Sequence, residues 1–248
     1  MNIIVSGCCG TMGSVLIDTI AKHSDCRVIA GIDIAPCASL PFPVFSSPDK
    51  CPDGADVIID FSHPKNLSLL LDTACLKKIP TVIATTGYNE AQTAKIAECA
   101  RDIPIFFSAN MSLGVSLLKA LCRKAASVLG GDYDIEIIEK HHNKKIDAPS
   151  GTAIMLAQGI EDALEFAPKY VYDRHSRRAK REPHEIGMHS VRGGSIVGEH
   201  EIIFAGSDEI ITLAHSAMSK AVFASGAISA ARFLIGKPAA LYSMDDII

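Results

Sequence analysis

Asn2-Ile3-Ile4-Val5-Ser6-Gly7-Cys8-Cys9-Gly10-Thr11-Met12-Gly13 decides how this chain is read. A short apolar run ends in a glycine-rich turn. Met12, Leu16 and Ile20 then recur every four residues, the stripe of an amphipathic helix. Strand, tight turn and helix in that order make a seat for a dinucleotide pyrophosphate. The glycines follow G-x-x-G-x-x-G spacing rather than the commoner G-x-G-x-x-G. The physics is shared. A tight turn needs positive φ, a backbone without Cβ atoms admits the pyrophosphate, and the helix N-terminus offers N–H groups and partial positive charge. Asp33 lies 20 residues after Gly13, at the end of the next apolar run, 27–33. There a carboxylate accepts hydrogen bonds from the adenosine ribose hydroxyls. Ile34 follows it, with no cation to balance a 2′-phosphate. NADH is therefore the expected preferred cofactor, with NADPH as the second donor.

Outward from this unit, β-rich runs alternate with helical patterns. The segment Asp56-Val57-Ile58-Ile59-Asp60-Phe61 is apolar throughout its middle, as a parallel strand covered on both faces should be. A Pro-rich connection (Pro36, Pro41, Pro43, Pro48, Pro52) precedes it, and Pro64 opens a helix running to about residue 78. Strands are expected over 81–85 and 104–107, with a helix over 89–101 between them. Strands alternating with helices imply βαβ units and a parallel sheet.

After residue 110 the pattern changes. A helix is expected over 112–129, a strand over 134–139 and a helix from 150 to about 164, while 166–183 shows no periodicity. Strands over 185–191, 195–204 and 209–215 then follow, separated by Gly193-Gly194 and Gly206-Ser207-Asp208. Short glycine turns predict antiparallel pairing of successive strands. A last helix over 220–235 is ended by Gly236 and Pro238. The fold class expected is α/β: a Rossmann-like doubly wound parallel sheet with a second α+β domain carrying a mixed or antiparallel sheet.

The chain has 248 residues, about 1.7 average domains. It is 48% hydrophobic and 21% charged, with 24 Lys+Arg against 28 Asp+Glu. A formal charge of −4 argues against a nucleic-acid carrier. No apolar run has the length of a membrane span, and the first residues lack the basic start of a signal peptide. Cysteines stand at 8, 9, 26, 37, 51, 75, 99 and 122, with no C-x-x-C pair for zinc. A reduced, cytoplasmic protein with cysteines serving as small core residues is expected.

The densest polar stretch is Glu139-Lys140-His141-His142-Asn143-Lys144-Lys145-Ile146-Asp147-Ala148-Pro149-Ser150-Gly151-Thr152-Ala153, running from a strand end to a helix start. A histidine can donate a proton near neutral pH, and Lys145 supplies a permanent cation. Ser150-Gly151-Thr152 exposes the N–H groups of the next helix, a seat for a carboxylate. A metal site built from His141, His142 and Asp147 is disfavoured, because neighbours on a strand point to opposite faces. No metal is expected.

Four segments together resemble the dihydrodipicolinate reductase (4-hydroxy-tetrahydrodipicolinate reductase) family: the loop from Gly7 to Gly13, Ala84-Thr85-Thr86-Gly87, Ser108-Ala109-Asn110-Met111-Ser112-Leu113-Gly114-Val115, and the run from Glu139 to Ala153. Val191-Arg192-Gly193-Gly194, Val197-Gly198-Glu199-His200 and the stretch from His215 to Ala227 extend the match in order along the chain. The resemblance implies NAD(P)H-dependent reduction of a cyclic dicarboxylate, with loss of water, in diaminopimelate and lysine biosynthesis. By motif position, His141 is the general acid and Lys145 stabilises charge and holds substrate. His142, Ser150, Gly151 and Thr152 bind its carboxylates. Gly7, Cys8, Cys9, Gly10, Thr11, Met12, Gly13, Asp33, Ala84, Thr85, Thr86, Ser108, Ala109, Asn110 and Met111 line the cofactor. It also implies a homotetramer, a cofactor domain over 1–111 and 220–248, and a substrate-binding and oligomerisation domain over 112–219. Thr11 stands where the family often has arginine, Ile34 where some members carry one, and Ala84 where a glycine is common.

Two other readings are a different two-domain Rossmann dehydrogenase, and a non-catalytic dinucleotide sensor with Cys8-Cys9 as a redox pair. The first gives no reason for the full run to Thr152, and the second none for His141 and Lys145. Arg174, Arg177, Arg178, Lys180 and Arg181 read as a solvated basic loop, because aromatic residues for nucleic-acid stacking are sparse beside them.

Overall fold

A computed structural model describes residues 1–34 and 40–248. Pro36 and Cys37, part of the proline-rich connection and of the cysteine reading, lie outside the described residues. In chain order the elements are β1 (Asn2–Ser6), α1 (Thr11–Ile20), β2 (Arg27–Ile32), β3 (Val44–Phe45), β4 (Val57–Asp60), α2 (Leu67–Lys77), β5 (Thr81–Ile83), α3 (Glu90–Cys99), β6 (Ile105–Phe107), α4 (Leu113–Leu129), β7 (Asp134–His141), α5 (Gly151–Glu161), β8 (Lys169–Val171), β9 (Glu185–Arg192), β10 (Gly198–Ala205), β11 (Ile210–Ala217), α6 (Ala221–Leu234) and β12 (Leu241–Tyr242). The chain forms two compact units, Met1–Leu113 with Lys220–Ile248, and Gly114–Ser219.

The first unit holds a seven-stranded sheet in the order β12-β6-β5-β4-β1-β2-β3. All its pairings are parallel. Alternation along β1 feeds two cores. Ile3 and Val5 point to the face covered by α1 and α6, against Leu16, Ile20, Ala227 and Leu234. Ile4 points to the other face, against Leu67, Leu71 and Ile96 of α2 and α3. Strands sandwiched between two helix layers have no solvent face, which is why β4 is buried at every position. The chain adds strands outward from β1 to β3, then returns to place β4 on the other side of β1. A crevice opens at that reversal, at the carboxyl ends of the strands.

The second unit holds a five-stranded mixed sheet in the order β11-β10-β7-β9-β8. Helices α4 and α5 cover one face, packing Leu118, Cys122, Leu156 and Ile160 on Ile135, Ile137, Met188 and Phe204. Here a sequence expectation fails. Successive strands do not all pair antiparallel: β10 and β11 do, but β9 pairs parallel with β7, and β7 lies between β9 and β10. The Gly193-Gly194 connection is therefore not a hairpin turn. It crosses the end of β7, where the Gly193 N–H donates to the His141 carbonyl (2.9 Å) and the Asn143 N–H to the Gly194 carbonyl (3.3 Å). Gly194 takes φ +49°, a conformation that favours glycine.

The aperiodic stretch 166–183 also differs from expectation. It contributes edge strand β8, and three of its arginines are tied down. Arg174 reaches Glu136 and Glu185, Arg177 reaches Glu185, and Arg181 reaches Asp134 and Glu136. Arg178 and Lys180 are exposed. Asp134 and Glu136 of β7, distant in sequence, and Glu185 of β9, close by, pair with these three arginines.

Candidate active site

In the first unit the three loop glycines divide their work. Gly7 has φ +79°, and a Cβ there would lie 2.5 Å from the Phe61 carbonyl oxygen. A Cβ on Gly13 would lie 2.0 Å from the Gly7 carbonyl oxygen, so α1 sits against the loop only because Gly13 is bare. Gly10 is exposed and meets only the Gly7 oxygen, at 3.3 Å. It is the open position, and it caps α1 with no side-chain acceptor. First-turn N–H groups without a side-chain cap suit a phosphate. The Cys9 N–H donates to the Asp33 carboxylate (2.9 Å), which fixes that acid at the loop. A cavity at the strand reversal is lined by Ser6, Gly7, Gly10, Asp33, Phe61 and His63 among others, and no lysine or arginine lines it among the described residues.

Other predicted cofactor residues fall into two groups. Thr86 is exposed, whereas Thr85 is buried with its hydroxyl donating to Asp60 (2.6 Å). Asp60, 1% exposed, also accepts from the Tyr88 hydroxyl (3.4 Å), and burial together with that charge pushes the phenol up. Asp60 was not picked out by sequence, since it reads as the end of an apolar strand. Ser108 donates to the Asn110 carbonyl (2.7 Å), and the Asn110 side chain accepts the Ser112 N–H (2.9 Å), giving a self-bonded turn. Ala84 and Met111 are core residues at 7% and 2% exposure. A Cβ on Gly226 of α6 would lie 1.6 Å from the Met111 carbonyl oxygen.

The Cys8 thiol is not activated. Burial first, and the Asp33 charge second, push it up to about 11. Cys8, Cys9 and Asp33 lie close together. A thiol held protonated is a poor metal ligand.

In the second unit the residues of the polar run converge at the end of β7. Glu139 and His141 share a strand face, as i and i+2 residues do. Parallel pairing sets Arg192 of β9 beside His141, and antiparallel pairing sets His200 of β10 beside Glu139. Glu139, 1% exposed, accepts from His141 Nδ1 (2.5 Å), from both Arg192 Nη atoms (2.8 and 2.6 Å) and from the Ser150 N–H (3.2 Å). Burial alone would raise its carboxyl. Hydrogen bonds from Arg192, Ser190 and His141 outweigh that and hold it at about 2. Arg192 also donates to the Asp147 carbonyl (2.7 Å), pinning the loop that carries Lys145. Lys145 pairs with the Asp147 carboxylate (2.9 Å).

Ser150 caps α5, its hydroxyl accepting the Ala153 N–H (3.1 Å) and meeting His200 Nε2 (3.1 Å). The His200 ring stands edge-on to His141, centroids 5.3 Å apart. Burial, then the neighbouring His141, hold His200 down to about 4, so it is neutral at physiological pH. Burial lowers His215, its cross-strand partner, in the same direction. The Nδ1 atoms of His142, His200 and His215 and the Nε of Arg192 are buried without a hydrogen-bond partner. A Cβ on Gly151, Gly193 or Gly194 would meet nothing within 4 Å. Buried polar atoms left unsatisfied suit a polar ligand. His142, Lys145, Ser150, Gly151 and Thr152 are thus gathered with His141 at one strand–helix joint. The sequence alone gives Glu139, Arg192 and His200 no role. The i, i+2 spacing of Glu139 and His141 was the available signal; the placement of Arg192 and His200 depends on strand pairing.

The chain matches the model of the dihydrodipicolinate reductase N-terminus over residues 1–111 and that of the C-terminus over 114–248. It is 48% identical over 248 residues to the 4-hydroxy-tetrahydrodipicolinate reductase of Caldanaerobacter subterraneus subsp. tengcongensis, covering all of this chain and 98% of that one. It is 45% identical over 247 residues to the enzyme of the same name from Clostridium novyi, with the same coverage. A dipicolinate-bound dihydrodipicolinate reductase from Paenisporosarcina sp. TG-14 shares the fold, with TM-score 0.82 and 24% identity over 100% of this chain and 99% of that one. With both parts of the chain matched and relatives this similar along its full length, the chain belongs to the dihydrodipicolinate reductase family.

Proposed function

We propose that this chain reduces 4-hydroxy-tetrahydrodipicolinate to tetrahydrodipicolinate, with loss of water, in the diaminopimelate route to lysine. The reduced nicotinamide supplies the hydride when bound. His141 supplies a proton to the ring carbon, and Lys145 and the N–H groups opening α5 hold the carboxylates. The observation that carries this reading is the gathering of His141, His142, Lys145 and the α5 N-terminus at one joint. A doubly anionic substrate needs local positive potential, and a chain with net charge −4 must build it at the site.

For the cofactor, bare glycine at Gly10 and the α1 start fit a pyrophosphate, and Asp33 fits ribose hydroxyls. Exposed Ile34 and a cavity without Lys or Arg among its described lining residues favour NADH over NADPH. Residues 1–111 with 220–248 form the cofactor domain in this reading, and 112–219 the substrate-binding and oligomerising one. The homotetramer and the cytoplasmic location rest on the family resemblance alone. The test couples the chain to dihydrodipicolinate synthase and follows loss of NADH absorbance. Substrate-dependent oxidation is expected, and none at all defeats the reading.

A further inference from the structure

We infer that Glu139, braced by Arg192, is the positioning residue that selects Nε2 of His141 as the proton-donating atom. The inference rests on the proposed role of His141 as the acid. Its basis is the geometry around one carboxylate. Glu139 is sealed from water, and four N–H donors converge on its two oxygens: two from Arg192, one from the Ser150 backbone and one from His141 Nδ1. The carboxyl is held at about 2, so it stays ionised and has no proton to offer. The short contact of 2.5 Å to His141 must then be an N–H donated by the imidazole. Neutral His141 is consequently the Nδ1–H tautomer, with its lone pair on Nε2. When the ring is charged, the proton it can release is the one on Nε2.

The surroundings agree with that assignment. Nε2 faces Gly198, where a Cβ would stand 3.1 Å away. A side chain at that position would crowd the working nitrogen. His200, neutral and edge-on, holds the ring from the side without competing for Nδ1. Arg192 gives Glu139 its charge balance and, through the Asp147 carbonyl, ties the same unit to the Lys145 loop. One buried carboxylate thereby couples the acid, the cation loop and the cap of α5.

Glu139→Gln keeps the size and removes the charge. Its amide can present N–H to His141 Nδ1, which reverses the tautomer. The expected result is a kcat lower by about 100-fold, with NADH affinity within about twofold of the parent. Glu139→Asp, which restores the charge, should recover part of the loss. The direct readout is the nitrogen spectrum of histidine-labelled protein, with the His141 signal identified by its disappearance in His141→Ala. Neutral His141 should be protonated on Nδ1 in the parent protein. Protonation on Nε2 overturns the inference, as does a Glu139→Gln enzyme with parental kcat. If Glu139→Gln fails to fold, the parent spectrum alone decides. If His141→Ala keeps full turnover, the proposed acid falls, while the tautomer still judges what Glu139 does.

Discussion

The carboxylate of Glu139 lies 2.5 Å from Nδ1 of His141, two residues further along the same strand and on the same face. The end of one strand therefore places a carboxylate and an imidazole in direct contact. Helix α5 joins the pair through its N-cap residue, Ser150.

The first expectation concerns the acid and the cation. His141→Ala should lose kcat by about 100-fold or more, in the range of general acid catalysis, with cofactor affinity unchanged. Lys145→Ala should lower kcat and raise KM together, because it removes charge stabilisation and substrate binding at once. Steady-state kinetics with both variants checks this, and near-parental turnover in either removes that residue from its role.

The buried ionisable groups predict acid instability in two windows. His200 is held neutral at about 4 against an ordinary 6.5. The unfolded chain takes up that proton first, so stability falls as pH drops from about 6.5 to about 4. Glu139 is held at about 2 against an ordinary 4.5. Its contribution is present above 4.5 and is lost as pH falls toward 2, on the order of 3 kcal/mol in all. Urea unfolding at stepped pH should show both declines. His200→Gln should flatten the upper one only.

Cofactor choice follows from the end of β2. The parent enzyme should show a higher kcat/KM with NADH than with NADPH. Ile34→Arg adds a cation next to Asp33, the proposed ribose contact, and should raise kcat/KM for NADPH by about tenfold, the equivalent of 1.4 kcal/mol. A hundredfold NADPH preference in the parent would sink the assignment.

Two glycines should separate packing from binding. Gly226→Ala drives a methyl to 1.6 Å from the Met111 carbonyl, so it should destabilise the first unit by about 3 kcal/mol, measured by thermal or urea unfolding. Gly151→Ala meets nothing within 4 Å. It should leave stability unchanged and raise KM for the dicarboxylate. Equal Tm losses in the two would contradict this division.

Much of the first unit was legible because its signals are local. The glycine spacing, the four-residue stripe of α1 and the apolar middle of β4 each report their own segment. Asp33 could be found by counting from Gly13. Thr85 could not be separated from Thr86 in the same way, because only the neighbouring strand reveals Asp60 as its partner. In the second unit, glycine turns suggested hairpins, yet a two-glycine link can as well cross over an intervening strand. Nothing in residues 193–197 distinguishes the two cases, since β7 comes more than 50 residues earlier. The arginines of 174–181 misled for the same reason. Arg174 and Arg181 find Glu136 and Asp134 on β7, across the sheet, although Arg177 pairs with the nearer Glu185.

By itself, the sequence determined the family, the α/β class and the gathering of His141, Lys145 and Ser150-Gly151-Thr152 on one short run. Spacing along a continuous backbone settles such proximity. Only the tertiary structure decided what surrounds His141. Parallel pairing of β7 with β9 delivers Arg192, antiparallel pairing with β10 delivers His200, and Gly198 at the start of β10 comes against the His141 ring. Strand register is a non-local choice, set by which apolar faces can be buried together. The i, i+2 spacing of Glu139 and His141 is written in the chain, whereas Arg192 reaches Glu139 only through the pairing of β9 with β7.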